Sequence, residues 1–101
     1  MKHFLIKYRF RGDSEAEWRA EVARFIEALD TDPDLKGKIA YRCMRRGGDY
    51  YHLATATDDD AVSVLQGKDF FKHYTQMTGR AGGGEVEAGP IEIIAETGIR
   101  L

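Results

Sequence analysis

Residues 38–59, KIAYRCMRRGGDYYHLATATDD, decide the fold, because they read as two strands joined by a tight turn and run directly into a helix start. Gly47 and Gly48 between Arg46 and Asp49 suit a two-residue hairpin turn, since glycine accepts the positive φ such turns demand. With that turn, Met44/Tyr51, Arg42/Leu53 and Ala40/Thr55 share one face of the hairpin. Arg45/Tyr50, Cys43/His52, Tyr41/Ala54 and Ile39/Ala56 share the other. Ala54 and Ala56 beside Ile39 place the second set beneath helices, where close approach favours small side chains. A slip of one residue would exchange every assignment.

Upstream, residues 2–10 alternate, with Phe4, Ile6, Tyr8 and Phe10 on one face and His3, Leu5, Lys7 and Arg9 on the other. Gly12 and Asp13 turn the chain. Ser14 with Glu17 forms a capping box in which each side chain satisfies a free backbone amide. Trp18, Val22, Phe25, Ile26 and Leu29 then mark the apolar stripe of a helix that Pro33 terminates.

Downstream, Asp58, Asp59 and Asp60 supply a cap and negative charge at a second helix start. Val62 and Leu65 are its apolar points, and Gly67 breaks it. A further helical stretch over 68–78 carries Phe70, Tyr74 and Met77 on one stripe. Residues 79–84 read as a flexible connector, with Gly82, Gly83 and Gly84 a hinge or lid. The closing strand begins irregularly at 85–88 and runs over 90–97, Pro90 marking an edge or a bend.

The order is strand, helix, strand, strand, helix, strand in 101 residues. It predicts an α+β, ferredoxin-like βαββαβ subunit with a four-stranded antiparallel sheet, a single domain over 1–101. Helices on one face leave the other bare, and a chain of this size buries only about 60–65% of its unfolded surface. A second copy covering that face, giving a homodimeric barrel, is the expected answer. The formal net charge of -2 argues against nucleic acid, which needs clustered excess Lys and Arg. Arg42, Arg45 and Arg46 read as a solvated hairpin end. Cys43 is the one cysteine, so no internal disulfide forms, and a structural thiol in a reducing compartment is expected. No apolar run nears the ~18 residues of a membrane span, and the chain opens on a charged strand without a signal core. No membrane partner and a cytoplasmic address follow as expectations.

The chain resembles the dimeric α/β barrel superfamily, and within it the antibiotic-biosynthesis-monooxygenase-like proteins. The resemblance rests on the element order, the passage from Tyr51 to Asp59, the aromatic segment Phe70-Phe71-Lys72-His73-Tyr74 and the strand Gly89-Pro90-Ile91-Glu92-Ile93-Ile94. It covers nearly the whole chain and implies a homodimer whose members include cofactor-independent monooxygenases, haem-degrading enzymes, isomerases and proteins of no known activity. Fold therefore does not decide function. The haem-degrading members resemble each other in using Asn, Trp and His together. This chain has no asparagine, and its only tryptophan, Trp18, lies on a core stripe. No catalytic residue carries over.

Should the odd-numbered face of the first strand line a dimer interior, Lys7, Arg9, Arg42, Tyr51, Leu53, Glu92 and Glu96 would line or rim it. Arg9, Arg42, Tyr51 and Leu53 would then bind a small anionic or phenolic ligand, Arg42 pairing its charge. The plainer reading pairs Arg9 and Arg42 with Glu92 and Glu96. His73, beside Phe70 and Tyr74, is the candidate base for removing a phenolic or enolic proton, against a purely structural or exposed histidine. His52 shares a face with Cys43 and is expected to pack against a helix, and His3 to lie at the surface. Three scattered histidines make no metal site, Ser14 and Ser63 have no triad partner, and no cofactor is expected. Three functions stand: a cofactor-independent monooxygenase-like enzyme acting on a small aromatic or polyketide-like molecule, a non-catalytic ligand-binding or stress-associated homodimer, or a purely structural partner for another protein.

Overall fold

The hairpin closes in the register that the sequence predicts. In the computed structural model, which describes residues 1–99, β1 spans Lys2–Arg9, β2 Ile39–Arg46 and β3 Asp49–Ala56. Arg46 faces Asp49, Cys43 faces His52 and Ile39 faces Ala56. Gly47, at φ 60°, takes the first central position of the turn, where a type II′ connection requires glycine. On the other side of β3 lies β1, with Tyr8 opposite Tyr50, Ile6 opposite His52 and Phe4 opposite Ala54. β4 (Glu87–Ile91) pairs antiparallel with β1 at the edge, giving the order β2-β3-β1-β4.

Helix α1 (Glu15–Thr31) starts where Ser14 Oγ accepts the Glu17 amide at 3.2 Å. It ends at Asp32, whose extended backbone is the geometry proline imposes on its predecessor. Its stripe of Trp18, Val22, Phe25 and Leu29 is buried, each side chain contributing about 1.5–3 kcal/mol by leaving water. Leu35, fully enclosed in the loop after α1, joins the same core. The second helical region is split into α2 (Asp59–Gly67) and α3 (Asp69–Ala81) by the extended backbone of Lys68. Lys68 Nζ reaches Asp34 at 2.6 Å and Asp32 at 3.2 Å, tying this break to the loop after α1.

Two expectations at the C-terminal end are corrected. Helix α3 runs to Ala81, and the glycines after it form a cap instead of a flexible connector or lid. The Gly82 amide donates to the Thr78 carbonyl, the Gly84 amide to the Gly79 carbonyl, and Gly83 and Gly84 take positive φ. Gly82 is buried, and a Cβ there would lie 2.6 Å from Val86 Cγ2 and 3.0 Å from Tyr8 Cβ, so its lack of a side chain lets the helix end meet β1. The closing strand lies over 87–91, not 90–97. Ile91 pairs with His3, one residue from the end of β1, and residues 92–99 pair with no strand among the described residues. Pro90, opposite Phe4, sits on an edge strand as expected.

Candidate functional site

The strand alternation places Phe4, Ile6 and Tyr8 of β1, Ile39, Tyr41 and Cys43 of β2, and Tyr50, His52, Ala54 and Ala56 of β3 toward the helices. Near the hairpin turn this layer is filled with rings. Toward the other end, Ala54, Ala56, Ala88 and Gly79 leave a cavity of about 550 Å³ between the sheet, α2 and α3. Its walls include Phe4, Ile39, Val62, Leu65 and Phe71, and among the described residues no charged side chain lines it. The polar residues of its wall include Tyr41, Tyr74 and Gln66. The Thr75 and Thr78 hydroxyls donate to the helix carbonyls of Phe71 and Tyr74.

Behind Tyr41 and Tyr74 stands His52, with no exposed surface. Its Nδ1 lies 2.5 Å from Tyr41 Oη and 3.0 Å from Tyr74 Oη, and those two hydroxyls are 3.0 Å apart. Its Nε2 lies 2.7 Å from Tyr8 Oη, which also accepts the Trp18 indole N–H at 2.6 Å. Ring packing holds the set. Tyr74 stacks on Phe25 with centroids 3.8 Å apart and on Trp18 at 5.7 Å, and Tyr8 stacks on Tyr50 at 5.5 Å. Among the described residues no buried side-chain nitrogen or oxygen lacks a partner, as buried polar groups require.

Burial sets the protonation of the cluster. Desolvation lowers the His52 pKa to about 4, so the imidazole is neutral near pH 7. Burial raises Tyr8, Tyr41 and Tyr74 above the ordinary phenol range, so their hydroxyls keep their protons. The cavity wall is thus uncharged and suited to an apolar ligand with a few hydrogen-bonding atoms.

The residues singled out from sequence fall elsewhere. Arg42, Tyr51 and Leu53 share the uncovered face, Arg42 beside Leu53 and Tyr51 between Met44 and Lys7. Arg9 lies on the same face and reaches Asp49 at 3.5 Å, not Glu92 or Glu96, both of which lie beyond β4. None of Arg9, Arg42, Tyr51 and Leu53 contributes to the cavity. His73 is 61% exposed on α3, with Nε2 3.7 Å from Glu21, and is not a cavity residue either. His52 packs under the helices beside a half-buried Cys43 whose thiol pKa burial raises. His3 is half-buried, with Nδ1 2.9 Å from the Thr55 hydroxyl. Sequence reasoning passed over Tyr8, Tyr41 and Tyr74 as a group. Their signal was present: polar-tipped rings on inward positions of β1, β2 and α3 must find partners, and His52 of β3 is the partner they share.

No family model matches the chain, and no curated protein matches it in sequence. Solved structures do match. SnoaB, a cofactor-independent oxygenase from Streptomyces nogalater, superposes with a TM-score of 0.74 over 94% of each chain at 18% identity. Rv0793 from Mycobacterium tuberculosis gives 0.75 at 14% identity, over 96% of this chain and 98% of its own. A structure described as an antibiotic biosynthesis monooxygenase gives 0.73 at 9% identity, over 94% and 100%. Sheet order and helix placement define a ferredoxin-like α+β protein with a cavity between its two layers. More narrowly, the chain has the fold of the antibiotic-biosynthesis-monooxygenase-like proteins.

Proposed function

We propose that the chain binds a small aromatic or polyketide-like molecule in the cavity between sheet and helices and oxidises it with dioxygen, without a cofactor. The observation that carries this reading is the apolar space of about 550 Å³ with Tyr41 and Tyr74 in its wall. The fold shared with a cofactor-independent oxygenase supports it. In the reaction, a substrate methylene flanked by a carbonyl loses a proton, and the carbanion passes one electron to dioxygen. The radical pair joins at carbon, and the hydroperoxide loses water, so that CH₂ and O₂ become C=O and H₂O. A hydroxyl of Tyr41 or Tyr74 would stabilise the charge growing on the carbonyl oxygen as the proton leaves.

One observation favours the second reading, ligand binding without turnover. Among the described residues no carboxylate, lysine or imidazole lines the cavity to take the proton. The exposed His73 could serve only a ligand held outside it. Pairing of two copies through the uncovered face belongs to the proposal as well, and would enclose Arg9, Arg42, Tyr51 and Leu53 in a second space. Sedimentation at micromolar concentration checks that pairing. Among the described residues no helix is long and apolar enough to cross a membrane.

Oxygen uptake with hydroxylated bicyclic and tricyclic aromatic ketones tests the enzyme. Uptake that falls at least tenfold in Tyr41→Phe/Tyr74→Phe supports it. Saturable binding without uptake leaves a binding protein, and absence of binding removes the cavity as the site.

A further inference from the structure

We propose that Trp18 and Tyr8 act as positioning residues that fix His52 as its Nδ1–H tautomer, so that a phenolic proton of the Tyr41–Tyr74 pair points into the cavity. The inference rests on the cavity as the ligand site and adds what that site offers a ligand: a hydrogen-bond donor.

The argument is a count of protons. An indole nitrogen only donates, so the Trp18 N–H gives its proton to Tyr8 Oη. Tyr8 is buried, and among the described residues the one remaining partner of its hydroxyl is His52 Nε2 at 2.7 Å. Were Nε2 protonated, Tyr8 Oη would receive two N–H groups, and its own proton would point at nothing. A buried donor left that way costs about 1–3 kcal/mol, enough to decide between tautomers that differ little in water. Tyr8 therefore donates to Nε2, and the imidazole proton is on Nδ1.

That placement governs the far side of the ring. Nδ1, Tyr41 Oη and Tyr74 Oη form a triangle, and these contacts are the hydroxyls' only partners among the described residues. With Nδ1 protonated, the triangle holds three protons and two accepting oxygens. Nδ1–H donates to one oxygen, one hydroxyl donates to the other, and one hydroxyl proton is left over. Tyr41 and Tyr74 are both wall residues of the cavity, and the cavity is the side on which the surplus proton finds room. With Nδ1 bare, both hydroxyl protons would be used inside the triangle, one on Nδ1 and one on the neighbouring oxygen, and the cavity would face a lone pair. The tautomer thus sets whether the wall gives or accepts a hydrogen bond. Ligands with an uncharged acceptor oxygen are retained over those that present only N–H.

Two measurements test this. Long-range ¹H–¹⁵N spectra of the histidine-labelled protein, without ligand, report the His52 tautomer. Nδ1–H as the main form is expected, with a mixture in Trp18→Phe, which frees the Tyr8 hydroxyl to turn away. Nε2–H as the main form in the unmodified protein overturns the inference. Equilibrium dialysis then compares 9-fluorenone, carbazole and fluorene, tricyclic molecules of similar shape bearing an acceptor, a donor and neither. Fluorenone is expected to bind at least tenfold more tightly than carbazole, with the preference lost in Tyr41→Phe/Tyr74→Phe or, should that variant fail to fold, reduced in Tyr74→Phe. Equal binding, or a preference for carbazole, overturns the donor. If no probe binds, the cavity falls as a ligand site and the donor's role with it, even where the spectra show Nδ1–H.

Discussion

Tyr8, Tyr50 and His52 fill the helix-facing side of the sheet near the hairpin turn, while Phe4, Ala54 and Ala56 occupy the same side of the same strands at the other end and leave a cavity. Both ends share the β1–β3 pairing and the same face, and they differ in side-chain size and in β4, which flanks β1 at Phe4 and not at Tyr8. At the first end each ring is held twice, by ring packing and by a hydrogen bond, to another ring for Tyr8 and His52 and to Glu15 for Tyr50. At the second, small residues on both layers leave the space between the sheet and α2 and α3 unfilled. The first region gives the fold a rigid floor, and the second gives it room. Tyr41 and Tyr74 belong to both, which is how a packed cluster can govern an open space.

The largest effect expected from this contrast is at His52. His52→Ala removes the ring that Tyr8, Tyr41 and Tyr74 bond to and opens a void in a filled region, for a loss of about 3–5 kcal/mol in urea unfolding. His73→Ala, on the exposed face of α3, should move stability by less than about 0.5 kcal/mol. Equal losses at the two histidines would break the distinction between a packed interior and a solvated surface.

Acid should reproduce part of the first loss without a mutation. His52 titrates at about 4 in the folded protein and near 6.5 when unfolded, so between those values the unfolded chain binds the extra proton. Its contribution is fully present above pH 6.5 and is lost as the pH falls from there through 4. The gap corresponds to roughly 3 kcal/mol, at about 1.4 kcal/mol for each tenfold change in proton concentration. Urea midpoints measured from pH 7 to pH 5 should fall with acid, and the fall should be shallower in His52→Gln. An unchanged slope would mean that the ring is not held neutral by its surroundings.

The packed region was legible in the sequence as a pattern and not as chemistry. Alternation set which residues of 38–57 face the helices, and Ala54 and Ala56 identified that face correctly. The same alternation put Tyr8, Tyr41 and His52 on it, but their partnership depends on pairings between segments far apart in the chain, Tyr8 with His52 and His52 with Tyr74. The cavity was less legible still. It arises from what small side chains of β3, β4 and α3 leave unfilled, and a volume of that kind belongs to no single segment. Sequence attention therefore went to charged groups such as Arg42 and His73, whose chemistry is visible residue by residue. The closing strand was misplaced because its extent is set by where β1 ends, and apolar alternation in 91–95 carries no information about that partner.

The hollow region should answer mutation in the opposite sense, with the smallest effect of the three. Adding two methyl groups to a close-packed core forces neighbouring side chains off their rotamers, at a typical cost of about 1–3 kcal/mol. Ala54 is half-buried at the cavity wall, and a valine there would extend into open space while favouring the strand. Ala54→Val is therefore expected to change unfolding stability by no more than about 0.5 kcal/mol, yet to weaken fluorenone binding by narrowing the space. A destabilisation of 2 kcal/mol would show that the helices close onto β3 in solution. The two ends of the sheet would then be packed alike, and the room that the oxygenase reading needs would be gone.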